Sequence, residues 1–106
     1  MLGFRLNKVT GFSMFPRLSP GDYVLSFRQF RWKKAKPGQM FVLSHPVYGE
    51  IVKTLASVDE EDSLWFCGEN AESVSADNIG AITPTDDSPI YRVIYVIRPS
   101  LKWAQR

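Results

Sequence analysis

Four side-chain types in this chain could serve a nucleophilic reaction, and each also has an ordinary reading. Ser13 sits in Gly11-Phe-Ser-Met-Phe-Pro16, ahead of Leu18 and Pro20-Gly-Asp22. A serine between a glycine and a proline, just before a strand, can be held on a tight turn with its hydroxyl exposed. Serine is a weak nucleophile at its own pKa and needs an adjacent base. Without one, Ser13 is a turn serine. Lys53 follows Ile51-Val52, and an apolar strand environment strips hydration from an ammonium and lowers its pKa, which leaves a usable neutral amine. The ordinary counterpart is a strand lysine whose head snorkels to water. His45, the one histidine, closes Pro37-Gly-Gln-Met-Phe-Val-Leu-Ser-His-Pro46 and invites a serine–histidine arrangement. Cys67 lies in an apolar stretch and reads as a core residue. Beyond it, Gly68-Glu-Asn70 with Ser73, ahead of Asp77 and Gly80, is taken singly a polar loop.

The elements that must position these groups are short, β-branched and aromatic. Lys8 to Thr10 leads into a turn at Gly11. Asp22 to Phe27 reads as a strand launched from the Pro20-Gly21 turn, and Gln39 to Ser44 follows Pro37-Gly38 in the same manner. Glu50 to Val58, Ser63 to Cys67, Asn78 to Ile82 and Ile90 to Ile97 complete the set. Pro16 and Pro20 hold any helix after Ser13 to about one turn. Strands at this spacing with Gly/Pro punctuation predict an all-β or β-rich compact fold. At 106 residues, without internal repeats, the chain is read as a single domain spanning 1–106.

One cysteine excludes an internal disulfide framework and a multi-cysteine zinc site, and no metal or organic cofactor is implied. The net charge of +2 conceals an asymmetry: residues 1–53 carry nine Lys/Arg against two acids, and residues 54–106 four against nine. Such polarity either orients a partner or a membrane approach, or draws two halves of one fold together. No stretch approaches the ~18–20 consecutive apolar residues of a membrane-spanning helix. Met1 to Lys8 lacks a signal-peptide core and a cleavage site. The expectation is a soluble chain, or a soluble piece of an anchored one, cytoplasmic or at a membrane periphery.

The order of the four chemical segments is far more specific than any one of them. It resembles the type I signal peptidase family and the related self-cleaving repressor proteases, which use a serine–lysine dyad. Gly11, Ser13, Met14, Pro16 and Gly21-Asp22 match that family's Gly-x-Ser-Met-x-Pro and following Gly-Asp. Its next box corresponds to Gly38-Gln39 through His45-Pro46, its strand lysine to Lys53, and its Gly-Asp-Asn box with a downstream serine to Gly68-Glu69-Asn70 and Ser73. The resemblance covers roughly residues 9–82, with a C-terminal strand at about 90–97 beyond it. Gln39, Thr54 and Glu69 depart from the family's aspartate, arginine and aspartate, and Ser75-Ala76-Asp77 stands where larger members carry Asp-Ser-Arg. The resemblance implies a compact, mostly antiparallel β fold and a serine endopeptidase with Ser13 as nucleophile, Lys53 as base and Ser73 orienting the amine. It implies an extended peptide substrate laid on a sheet edge, with small side chains before the cut in shallow pockets. Gly11, Phe12, Met14 and Phe15, with Leu18, are the candidate substrate-binding residues. Trimming a leader or pro-peptide from a protein partner is the task it suggests, as in small proteases of this group that mature nickel-containing superoxide dismutase.

A different class of function remains open. Ser26 to Lys36 interleaves aromatics with Arg28, Arg31, Lys33, Lys34 and Lys36, a mixture suited to single-stranded nucleic acid or to a membrane interface. It equally describes a solvated hairpin with its aromatics turned inward. The alternative to the protease is therefore a β-rich nucleic-acid- or membrane-binding module. A self-cleaving repressor is disfavoured, because twelve residues before Ser13 leave no room for a DNA-binding domain or cleavable arm. On the protease reading, nucleic acid is not an expected partner.

Overall fold

The structure is a computed structural model that describes residues 3–29, 34–69, 79–85 and 88–99. Their regular elements are all strands: β1 (Phe4–Lys8), β2 (Tyr23–Arg28), β3 (Met40–His45), β4 (Gly49–Val58), β5 (Leu64–Cys67), β6 (Ala81–Ile82) and β7 (Tyr91–Ile97). They form one seven-stranded sheet in the order β1-β2-β7-β3-β4-β5-β6, every neighbouring pair antiparallel. The β-rich antiparallel architecture expected from the strand spacing is thus the one observed.

Alternation along each strand divides the apolar residues between two clusters on opposite faces. Val42 and Val24 pack with Val9, Met14 and Leu18 on one face. Phe41, Leu43, Leu55, Leu64 and Phe66 pack with Ala35 and Ile90 on the other. Phe41 and Phe66 are fully buried and meet edge to face, with ring centroids 5.8 Å apart. Burial of a side chain of this size contributes about 1.5–3 kcal/mol, so these two rings anchor the β3–β5 half.

Three elements differ from the sequence expectation. β1 runs from Phe4 to Lys8, upstream of the Lys8–Thr10 segment. Arg5 and Asn7 hold its inward positions and hide the alternation; Glu50 bonds to both, and the Arg5 guanidinium also lies 4.2 Å over the Tyr91 ring. After Ser13 there is no helix but a series of turns, with Leu18 N–H bonded to the Met14 carbonyl at 2.8 Å. β6 is confined to Ala81–Ile82, and Asn78 lies outside the described residues. The C-terminal strand runs through the middle of the sheet, between β2 and β3, with Ile94 as the extra residue of a bulge against Leu25 and Ser26. Residues 100–106 lie outside the described residues.

Candidate active site

Ser13 is carried by the connection between β1 and β2, residues 9–22. Two bonds at its base, Val9 N–H to the Asp22 carbonyl (2.7 Å) and Gly21 N–H to the Val9 carbonyl (2.9 Å), pinch it closed. The buried Asp22 carboxylate accepts from Ser19 N–H at 2.9 Å, which is the structural use of the Gly-Asp pair. Gly21 has φ of +95° and Gly11 +73°, left-handed values at which a side chain would be strained. Met14 and Leu18 plug the connection into the Val24–Val42 cluster, and Ser13, just before Met14, remains half-buried.

Lys53 is only 3% exposed. It lies opposite Phe41, so its stem enters the face of Phe41, Leu55 and Phe66, while Val52 points the other way. Burial pushes its pKa below the usual lysine value of 10.5; negative charge on the Cys67 thiol would act in the opposite sense. No ion pair or hydrogen bond involves the amine among the described residues.

The segment of the serine and the strand of the lysine meet at the β4–β5 border, with the Ser13 cavity on the Val42–Val52 face and the Lys53 stem on the other. Thr54, next to Lys53, pairs with Cys67 at the end of that ladder, and Gly68 follows. The following residue, Glu69, donates its N–H to the Ser13 carbonyl at 2.7 Å. Its carboxylate accepts from the Thr54 hydroxyl and lies 3.6 Å from Arg17. Thr54 and Glu69, two of the departures from the pattern the sequence resembles, thus bond to each other. Among the described residues no hydrogen bond joins the Ser13 hydroxyl to the Lys53 amine; catalytic hydrogen bonds commonly tighten only with substrate in place. Ser73, proposed to orient the amine, and Asn70 lie outside the described residues.

Beside Ser13 is a cavity of about 140 Å³ between β1 and β4. Val9, Met14, Val42 and Val52 give it apolar walls, and Asn7 and Glu50 give it a polar end. Val9, Val42, Val52 and Asn7 had not been marked by sequence, since each is an unremarkable strand residue until β1 and β4 face one another. Of the candidate substrate-binding residues, Met14 lines this cavity. Phe12 and Phe15 lie outside it, exposed and edge to face with centroids 6.1 Å apart, and Leu18 is core.

His45 is engaged through both ring nitrogens. Nδ1 accepts from the N–H groups of Val47 (3.0 Å) and Tyr48 (3.2 Å), which leaves Nε2–H to donate to the Ile79 carbonyl (2.9 Å). It is the strand-end residue expected from His-Pro, with neither nitrogen free to act as a base. Cys67 is half-buried beside Lys53. In the basic–aromatic segment Ser26 and Ala35 are buried and Phe27 packs on Phe4, while residues 30–33 lie outside the described residues.

No protein-family model matches the chain, and comparison with curated proteins and with solved structures gives no significant match.

Proposed function

We propose that this chain is a serine endopeptidase in which Ser13 attacks a peptide carbonyl and Lys53 is the general base. The observation that supports the reading is the burial of Lys53 in an apolar cluster next to Thr54, whose hydroxyl bonds to Glu69, the residue that holds the Ser13 carbonyl. An ordinary protein lysine gains nothing from such a place. A lysine that must be neutral to accept a hydroxyl proton gains its function from it.

In this mechanism the neutral amine takes the Ser13 proton as the oxygen bonds to the carbonyl carbon. The resulting ammonium returns a proton to the leaving amine, and the amine then activates water to release the acyl group. Backbone N–H groups around Ser13 stabilise the oxyanion, a role that the side-chain-free Gly11 leaves room for. The substrate is an extended peptide. Among the described residues β1 ends the sheet, and it borders the cavity, so its outer edge is placed to pair with a peptide backbone while a side chain enters between Val9, Met14, Val42 and Val52.

The test is cleavage of a randomised decapeptide library, read by mass spectrometry across pH. Catalysis requires the unprotonated amine, so kcat/KM is expected to rise with pH along a limb below 10.5. A kcat/KM that does not rise with pH anywhere below 10.5 would transfer the base to another group and overturn the assignment.

The polar end of the cavity sets a further expectation. The Glu50 carboxylate only accepts, so it fixes the Asn7 amide with Nδ2 toward it; Asn7 Oδ1, directed away, is buried without a partner among the described residues. Peptides that place threonine in the cavity are expected to be cleaved about 5–10-fold better than isosteric valine peptides, the worth of one hydrogen bond. Asn7→Leu should erase the preference. An unchanged preference in that variant would remove Asn7 from substrate selection.

A further inference from the structure

A chain of charged groups ties the connection that carries Ser13 to the sheet on either side of it. Arg98, the residue after β7, has its Nε 3.8 Å from the buried Asp22 carboxylate and donates from Nη2 to the Arg17 carbonyl at 2.6 Å. The Arg17 guanidinium then reaches across to β4 and to the residues after β5. Its Nη1 lies 3.6 Å from Oε2 of Glu69 and 3.5 Å from Oγ1 of Thr54. Thr54 is buried and donates its hydroxyl to the same carboxylate oxygen. Glu69 in turn gives its N–H to the Ser13 carbonyl at 2.7 Å. One residue thus grips both the Ser13 turn and the strand of Lys53, and a cation from the connection itself holds that residue in place.

Across a trans peptide the carbonyl and the following N–H point in opposite directions. Held at its oxygen by Glu69, the Ser13–Met14 peptide is confined to one orientation, and with it the angle at which the Ser13 side chain leaves the turn. Phe15 N–H closes the same turn on the Phe12 carbonyl at 3.0 Å, so residues 12–15 are fixed from within and from outside. Both bonds use backbone carbonyls and leave the Ser13 hydroxyl for chemistry. We propose, on the assignment of Ser13 as nucleophile, that Arg17 and Glu69 are positioning residues: their ion pair keeps Glu69 N–H on the Ser13 carbonyl and holds the nucleophile's turn in register with β4. Neither side chain lines the cavity beside Ser13, so neither meets a peptide bound there. Misplacing a reacting group by about 1 Å costs about 10²-fold in rate. Loss of the clamp therefore falls on kcat and spares KM.

The experiment combines amide hydrogen exchange with peptide kinetics on the full chain. In Arg17→Met the Glu69 amide is expected to exchange about tenfold faster than in the parent, with kcat about 10–100-fold lower and KM within about twofold. Both side chains of the pair are partly exposed, so circular dichroism and thermal unfolding should stay close to the parent's. Arg17→Lys keeps the charge and should restore most of both quantities. Glu69→Ala should lower kcat about as much as Arg17→Met, and the double variant no more than the worse single one, because the two residues act through one contact. Unchanged exchange at Glu69 in Arg17→Met, an unchanged kcat, or single losses that multiply in the double variant would each overturn the proposal. A parent chain that cleaves no peptide, with the change in exchange still present, keeps the clamp and removes the protease assignment instead.

Discussion

Ser13→Ala and Lys53→Met are each expected to lower peptide cleavage by about a thousandfold or more, since a nucleophile and its base act as a unit. The two variants should part company in stability. Ser13 is half-buried and its hydroxyl has no partner among the described residues, so its loss leaves unfolding nearly unchanged. Lys53→Met replaces a buried amine with an apolar chain of similar length and should raise the unfolding free energy by about 1–3 kcal/mol. The pH dependence has a definite sign. The folded-state pKa of Lys53 is depressed, so between that value and 10.5 the unfolded chain binds more protons than the native one. Wild-type stability therefore rises with pH through this window. The advantage of Lys53→Met is greatest below it and shrinks as the window is crossed. Urea unfolding of both proteins at neutral and alkaline pH measures this directly. Lys53→Arg keeps a permanent charge and should be both inactive and less stable than the wild type. Turnover by Lys53→Met would end the dyad proposal, and a constant stability gap across pH would show that Lys53 is not the titrating group.

This coupling of stability to chemistry explains what could be read from the sequence. Runs such as Tyr23–Arg28 and Met40–His45 announced their strands because they are rich in aromatic and β-branched residues and follow Pro-Gly turns. β1 was obscured because its inward residues, Arg5 and Asn7, are satisfied by Glu50, some 40 positions away. The central place of β7 was equally hidden: a run of apolar residues fixes a strand but not its neighbours, and both partners of β7 are set by tertiary packing. In the candidate site, Ser13 and Lys53 were legible because residue type and order carry their chemistry. The cavity was not, since Val42 and Val52 acquire a role only where β1 and β4 face each other. Phe12 and Phe15 show the converse limit. Their aromatic character suggested pocket walls, whereas the turns at Gly11 and Pro16 direct them outward.

Phe41→Ala should destabilise the fold by about 3–5 kcal/mol, a large share of the ~5–15 kcal/mol typical of a domain. The ring is fully buried, packs on Phe66 and stands opposite Lys53 in the β3–β4 ladder. The same ring helps to keep water from the Lys53 stem. A cavity in its place admits solvent toward the amine, weakens the desolvation that depresses its pKa and returns the base toward its ordinary value. The alkaline limb of kcat/KM should accordingly move upward in pH, so that activity at neutral pH falls further than the loss of folded protein accounts for. Phe41→Leu provides the milder test, costing about 1–1.5 kcal/mol while the chain stays folded, with a smaller shift in the same direction. Circular dichroism gives the folded fraction and initial rates across pH give the limb. If both variants lose stability while the limb stays in place, burial of Lys53 is not what sets the catalytic pKa. If the limb moves with the size of the side chain at position 41, the apolar cluster that stabilises the sheet is also the device that readies the base.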